Sequence, residues 1–282
     1  MIDRHYDPTP GSTLLGSDLD AANPTSEETP EESWRQPMRV IVFASQKGGS
    51  GKTTLCGQLA VQADRAGAGP VALIDTDPQG SLADWWNARA AETPTFVKTS
   101  FAHMKEDLEE LRAQGTKLVF IDTPPAVAET IEAVVGHADL VVIPTRPSPH
   151  DLRAVGATVD IVEDQDKQMI FAVNAATVRA KITGEAAVAL SQHGTVAPVT
   201  IHQRIDFATS MIDGRTVMEM NPESRSAGEI GALWQYISTR LGKIERRAVQ
   251  GHYDGPDRRA HPRAAGIGQG PQVRTFGRRV TE

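Results

Sequence analysis

The sequence predicts an α/β fold, a mostly parallel twisted sheet with helices on both faces, formed by residues 38–241. Three observations predict it. Near-continuous apolar runs of strand length recur: RVIVFAS at 39–45, PVALIDTD at 70–77 and KLVFIDTPP at 117–125. Strands buried on both faces of a parallel sheet read this way. Between the runs lie segments of helical pattern, which parallel neighbours need as crossovers. The flanks, 1–37 and 242–282, are rich in Pro, Gly and polar residues and lack periodic apolar pattern, so little burial would offset the entropy of ordering them.

The elements follow in order. Strand 39–45 leads into a helix over 52–65, which Gly67 and Gly69 stop. Strand 70–77 is followed by the helical pattern of 81–92, closed by Pro94, and by a short strand at 95–100. A helix over 103–115 ends at glycine, and strand 117–125 is broken by two prolines. Helix 127–136, strand 139–145, helix 150–165 and strand 168–176 continue the alternation. Segment 183–193 reads as helix, 196–201 as strand and 224–241 as a closing helix.

Composition narrows the function. With 39% hydrophobic and 23% charged residues the chain has the make-up of a soluble globular protein. No run approaches the roughly 20 apolar residues needed to span a bilayer, and MIDRHYDPTPGS lacks the pattern of a secretion signal. The single cysteine, Cys56, excludes an intrachain disulfide and a four-cysteine metal site. A cytoplasmic protein is expected. The net charge of −7 hides an asymmetry. Residues 1–37 carry eight acids against Arg4 and Arg35, whereas 243–282 carry nine Lys and Arg against four acids. The expected organisation is therefore an acidic disordered arm (1–37), one folded domain (38–241) and a basic disordered tail (242–282). The tail is either a passive solvated segment or an aid to polyanion binding.

The strongest motif is QKGGSGKTT, Gln46 to Thr54, set between the first strand and the first helix. A glycine-rich turn lets backbone N–H groups point at phosphate oxygens, and the helix N-terminus adds its positive end. Gly48, Gly49 and Gly51 supply the backbone freedom, with Ser50 and Thr54 completing the cradle. Lys52 neutralises the outer phosphates, and the Thr53 hydroxyl is a Mg²⁺ ligand. Asp122, ending the apolar strand FIDTPP, has the position of the carboxylate that holds Mg²⁺, usually through water. Asp75 and Asp77 end the strand of LIDTDPQGS, at the edge where open α/β sheets place their ligand crevice.

One feature departs from the general pattern: Gln46 stands where a glycine is usual, and an extra lysine, Lys47, precedes the glycines. Lys47 to Thr54 resembles the deviant Walker A motif of the ParA/MinD family, which implies a P-loop NTPase of the SIMIBI type. Leu82 to Trp86 and Pro144 to Asp151 are similar to segments of its short ParF-like branch; Trp85 and Trp86 read as packing residues. The resemblance covers about 38–241 and implies the following roles. Lys47 reaches across a dimer interface to the partner's nucleotide, linking triphosphate occupancy to assembly as an arginine finger does. Asp77, before Pro78, orients the attacking water, and Asp75 supports the Mg²⁺ shell or the switch geometry. Thr123-Pro124-Pro125 resembles the second switch. Asn174, ending FAVNAAT, matches the position where relatives recognise adenine.

The resemblance further implies ATP and Mg²⁺ as cofactors, weak intrinsic ATP hydrolysis, and a homodimer formed on ATP. It implies non-specific binding to nucleoid DNA and a ParB-like or other cargo adaptor that stimulates hydrolysis. Plasmid or chromosome partition, or the positioning of other cargo, is the expected function. Arg204 and Arg215 are the preferred DNA contacts, because QRIDFATSMIDGR resembles a segment near that surface, although many relatives have proline where His202 stands. No helix-turn-helix domain fits before Met38, which points away from the larger ParA class. Two alternatives stand beside this. A MinD-like membrane-cycling ATPase needs an amphipathic C-terminal helix, which GHYDGPDRRAHPRAAGIGQG does not offer, so no stable membrane association is expected. A metabolic enzyme of the same fold would have no evident need for Lys47, and a reductase would need paired cysteines.

Overall fold

Each apolar run becomes a strand, and the runs lie side by side. The computed structural model describes residues 37–125 and 128–251. Strands β1 (Arg39–Phe43), β2 (Val71–Asp75), β3 (Thr95–Val97), β4 (Leu118–Asp122), β5 (Leu140–Thr145), β6 (Met169–Val173) and β7 (Thr195–Val196) form one sheet. Their order is β3-β2-β4-β1-β5-β6-β7, and every neighbouring pair is parallel. Register places Phe43 opposite Asp122 and Asp75 opposite Asp122. The carboxyl ends of these three apolar runs are thus level, which sets Asp122 beside the end of β1 and Asp75 one strand further out.

Alternation along the strands feeds two cores. Ile41, Phe43, Leu73 and Phe120 point into one, where they meet Leu55 and Leu59 of α1 (Lys52–Arg65). Ile230, Leu233, Trp234 and Ile237 of α9 (Arg225–Gly251) close that side. Val40, Val42, Val119 and Ile121 point into the other core. There they meet Leu108 of α3 (Met104–Ala113), Ile131 and Val134 of α4 (Ala128–Val135), and Val155, Val159 and Val162 of α5 (Pro149–Asp164). Period-2 strands between two helical layers leave no face of the central sheet to water, the reason these runs are apolar throughout. The remaining helices are α2 (Ser81–Asn87), α6 (Lys181–Ser191), α7 (Ile205–Ser210) and α8 (Val217–Met220).

The structure bears out the predicted fold class and corrects several boundaries. β4 stops at Asp122 because Pro124 and Pro125 have no N–H to continue a ladder. β7 spans 195–196 where 196–201 is expected: Pro198 interrupts it, although Ala197 N–H still reaches Phe171 O and Ile201 N–H reaches Val173 O. Helix 81–92 ends at Asn87, and α7 and α8 were not anticipated. The closing helix, expected to stop at 241, runs on to Gly251. The acidic arm up to residue 36, residues 126–127 and the tail from 252 lie outside the described residues. Among the described residues no helix is long and apolar enough to cross a membrane.

Candidate nucleotide site

The loop that joins β1 to α1 turns through two glycines in left-handed conformation, Gly49 at φ 74° and Gly51 at φ 97°. Gly51 is required twice over. An added β-carbon would stand 2.1 Å from Nδ2 of Asn174, and its φ is one that L side chains rarely adopt. The loop is braced by two side chains from outside it. Gln46 N–H donates to the Thr158 hydroxyl of α5 (3.1 Å), and Asn174 Nδ2 donates to the Ser50 carbonyl (2.7 Å). Asn174 is buried at the end of β6. It therefore holds the loop in shape as well as lining the cavity expected to take the base.

Lys52 and Lys47, five residues apart, stand in opposite environments. Lys52 is 6% exposed. Burial holds its ammonium below the usual lysine range, while Asp122 and Asp77 pull it back up. Lys47 is exposed at the rim of the loop, and its backbone N–H donates to Ser45 Oγ. Among the described residues Lys47 forms no ion pair.

Thr53 Oγ1 donates to Asp122 Oδ2 at 2.6 Å. Asp122 is fully buried, and its other oxygen, Oδ1, has no hydrogen-bond partner. Burial pushes its carboxyl up to about 7, against the hydrogen bond from Thr53; Asp75 adds to the rise and Lys52 opposes it. An orphaned buried carboxylate oxygen is costly unless something fills the place beside it. A hydroxyl and a carboxylate side by side are hard oxygen donors of the kind Mg²⁺ takes together with phosphate oxygens and water. The residues fit that cation: Thr53 and Asp122 would hold it. The hydroxyl of Ser50 is likewise buried without a partner in the same loop.

Asp75 stands level with Asp122, but its oxygens serve the backbone. Oδ1 accepts from Asp77 N–H, and Oδ2 accepts from Leu82 and Ala83 N–H at 3.0 Å. Asp75 thus caps the first turn of α2, where Gly80 in the N-cap position brings no side chain. Of its two expected roles, this geometry is that of the switch support. Burial raises its carboxyl while the three amides lower it. Asp77 is half-buried beside it, and its Oδ1 accepts from Gln79 N–H. The loop residues, Lys52, Thr53 and Asp77 line one cavity of about 640 Å³.

Trp85 is buried and packs on Gly57 of α1, where a β-carbon would stand 3.0 Å from its ring. Its Nε1–H donates to Arg215 O, and Trp86 Nε1–H donates to Pro94 O. Both act as packing residues, as the sequence suggested.

The two arginines singled out for DNA differ in exposure. Arg204 is part-buried: its side chain is 20% exposed and Nη2 is paired with Glu229 at 2.7 Å. Glu229 also accepts from the backbone N–H and Nδ1 of His202. Arg204 therefore lines a second cavity of about 240 Å³, beside Asn174 and His202, and is not a free surface cation. Arg215 is 53% exposed and paired with Asp213 at 2.7 Å. Each has a carboxylate partner that spacing alone does not reveal.

Three polar residues escaped the sequence reading. Gln58 is fully buried in α1; its Nε2–H donates to Ser210 Oγ and its Oε1 accepts from Val217 N–H, which fixes the α7–α8 segment that walls both cavities. A glutamine between Leu55 and Leu59 on an apolar helix face was the available signal. Arg89 joins Glu219 in a two-pronged ion pair and lies 5.0 Å from the centre of the Trp85 ring. Arg146, directly after β5, lines both cavities.

A glycine turn feeding a buried lysine at the carboxyl edge of a parallel sheet is the arrangement of a P-loop nucleotide-binding domain. The sequence pattern of the CobQ/CobB/MinD/ParA nucleotide binding domain matches residues 41–217, and the chain belongs to that family. It is 27% identical over 200 residues to a maintenance of carboxysome distribution protein A from Halothiobacillus neapolitanus, covering 67% of this chain and 91% of that one. It is 41% identical over 124 residues to the protein of the same name from Gloeobacter kilaueensis, covering 43% of this chain and 55% of that relative. Protein ParA of Rhizobium radiobacter is 29% identical over 135 residues, with 46% and 59% covered. In fold, the chain is similar to apo McdA of Cyanothece, with a TM-score of 0.60 at 17% identity over 71% of this chain and 99% of that one. It is also similar to MinD from Pyrococcus horikoshii with Mg-ADP, with a TM-score of 0.60 at 15% identity over 73% and 98%.

Proposed function

We propose that this chain is an ATP-driven positioning switch of the ParA kind. ATP with Mg²⁺ binds at the glycine turn, and two copies close around the nucleotides, each sending Lys47 to the other's outer phosphate. The closed pair binds DNA without sequence preference, and slow hydrolysis, stimulated by a cargo adaptor, opens it. Lys52, Thr53 and Asp122 hold the phosphates and cation, Asp77 orients the attacking water, and Lys47 supplies transition-state charge only when two copies meet. The relatives named for carboxysome distribution and the relative named ParA support a positioning role without choosing the cargo.

The observation that carries this reading is the contrast between the two lysines. Lys52 is buried and already attracted by Asp122 and Asp77, whereas Lys47 projects exposed from the same loop. An exposed ammonium at the mouth of a phosphate site is free to meet a second nucleotide. It becomes useful when a second copy brings its nucleotide to it.

The membrane-cycling alternative is less well supported. The apolar stripe of α9, from Ile230 to Leu241, is packed in the core and is not free to enter a bilayer. Light scattering of purified chain with ATP, ADP or no nucleotide tests the proposal. The parent should dimerise on ATP alone. Lys47→Ala should still bind nucleotide but remain monomeric, and Asp77→Ala should persist as an ATP-bound dimer. Dimerisation of Lys47→Ala like the parent would refute the assignment.

A further inference from the structure

The two cavities at the carboxyl edge adjoin: Gly51, Thr54, Arg146 and Met211 line both. Arg146 is the charged member of this waist. It follows Thr145, the last residue of β5, and leans towards the glycine turn: a β-carbon on Gly49 would stand 3.7 Å from its Nη2. Arg146 is exposed, and among the described residues no ion pair engages it. The other Lys and Arg residues that line the two cavities are committed. Arg204 is tied to Glu229, and Lys52 lies buried with Asp122 and Asp77 as its attracting charges.

A nucleotide with its outer phosphates in the glycine turn and its base beside Asn174 must pass its sugar and innermost phosphate through this waist. The geometry points to Arg146 as the residue that clamps the innermost phosphate of the bound nucleotide, a specificity contact for nucleotides over free polyphosphate. This rests on the nucleotide reading of the site. A guanidinium presents parallel N–H donors that match phosphate oxygens two at a time, which an ammonium cannot do. The phosphate next to the sugar is common to ADP and ATP. The contact therefore strengthens both equally, unlike Lys47, whose target is the outer phosphate.

Titration of the full chain with fluorescent ATP and ADP analogues tests this. Arg146→Ala should weaken both analogues by the same factor, about tenfold or more, as expected for a charge-assisted hydrogen bond. Arg146→Lys should recover part of the loss. The nucleotide-free melting temperature should hardly move, because an exposed side chain is being changed. Weakened ATP binding with ADP unchanged would place Arg146 on the outer phosphate or across a dimer and overturn the proposal. Unchanged binding of both would overturn it as well. Failure of the parent chain to bind either analogue would instead bring down the nucleotide reading, and this assignment with it.

Discussion

Adding one methyl group at Gly51 tests the geometry of the loop most directly. The φ of 97° costs an L residue about 1–2 kcal/mol. The new carbon would also meet Asn174 Nδ2 at 2.1 Å, so that side chain must leave, breaking its bond to the Ser50 carbonyl. Losing a buried hydrogen bond adds about 1–3 kcal/mol. Gly51→Ala should therefore destabilise the nucleotide-free protein by about 2–5 kcal/mol. For a domain of this size that is a fall of about 4–20 °C in melting temperature. Gly67→Ala is the control: its φ is 75° with nothing within 4 Å of the added carbon, so strain alone should appear. Combining Gly51→Ala with Asn174→Ala removes the atom that clashes, and the double variant should lose about 1–3 kcal/mol less than the sum of the singles. If Gly51→Ala melts like Gly67→Ala, or the two losses simply add, the bracing of the loop by Asn174 is wrong.

Two further outcomes follow from the carboxylates. Asp75→Ala removes the acceptor for three amides and should cost about 1–2 kcal/mol. Hydrogen exchange should quicken first in Ser81–Asn87, and unchanged protection there would show that Asp75 does not hold α2. Asp122 has its carboxyl raised to about 7 by burial, above the ordinary value of 3.8 that applies when the chain is unfolded. The fold therefore binds a proton more tightly than the unfolded chain between those values. Its ionised form burdens the nucleotide-free protein in full above about pH 7, and the burden is relieved progressively as pH falls from about 7 towards 3.8. Nucleotide-free stability of the parent should therefore fall as pH rises from about 4 to about 7, with a slope of up to about 1.4 kcal/mol per pH unit, and level off above that. Asp122→Asn should lack that component, and parallel melting curves for the two proteins would contradict it.

Much of this molecule is legible along the chain because its informative features are local. An apolar run of strand length, a glycine turn before a helix and a carboxylate ending a strand need no distant partner to be recognised. The parallel sheet, the loop from Lys47 to Thr54 and the positions of Asp75 and Asp122 were read in that way. Boundaries were legible only where a local breaker marked them, as Pro124 and Pro125 do after β4 and Gly67 does after α1. α9 runs on past 241 although Gly242 follows there, so a glycine by itself does not end a helix.

Partnership is another matter. The sequence determined which residues carry charge, donors and backbone freedom at the carboxyl edge. Only the tertiary structure decided how those groups are spent: Asp75 on the amides of α2, Asn174 on the Ser50 carbonyl, Arg204 on Glu229, and Asp122 on Thr53 with one oxygen left over. The reason is that hydrogen bonds and ion pairs act over a few ångströms between groups up to 159 residues apart. Strand order and register bring such groups together, and neither is encoded by any one segment.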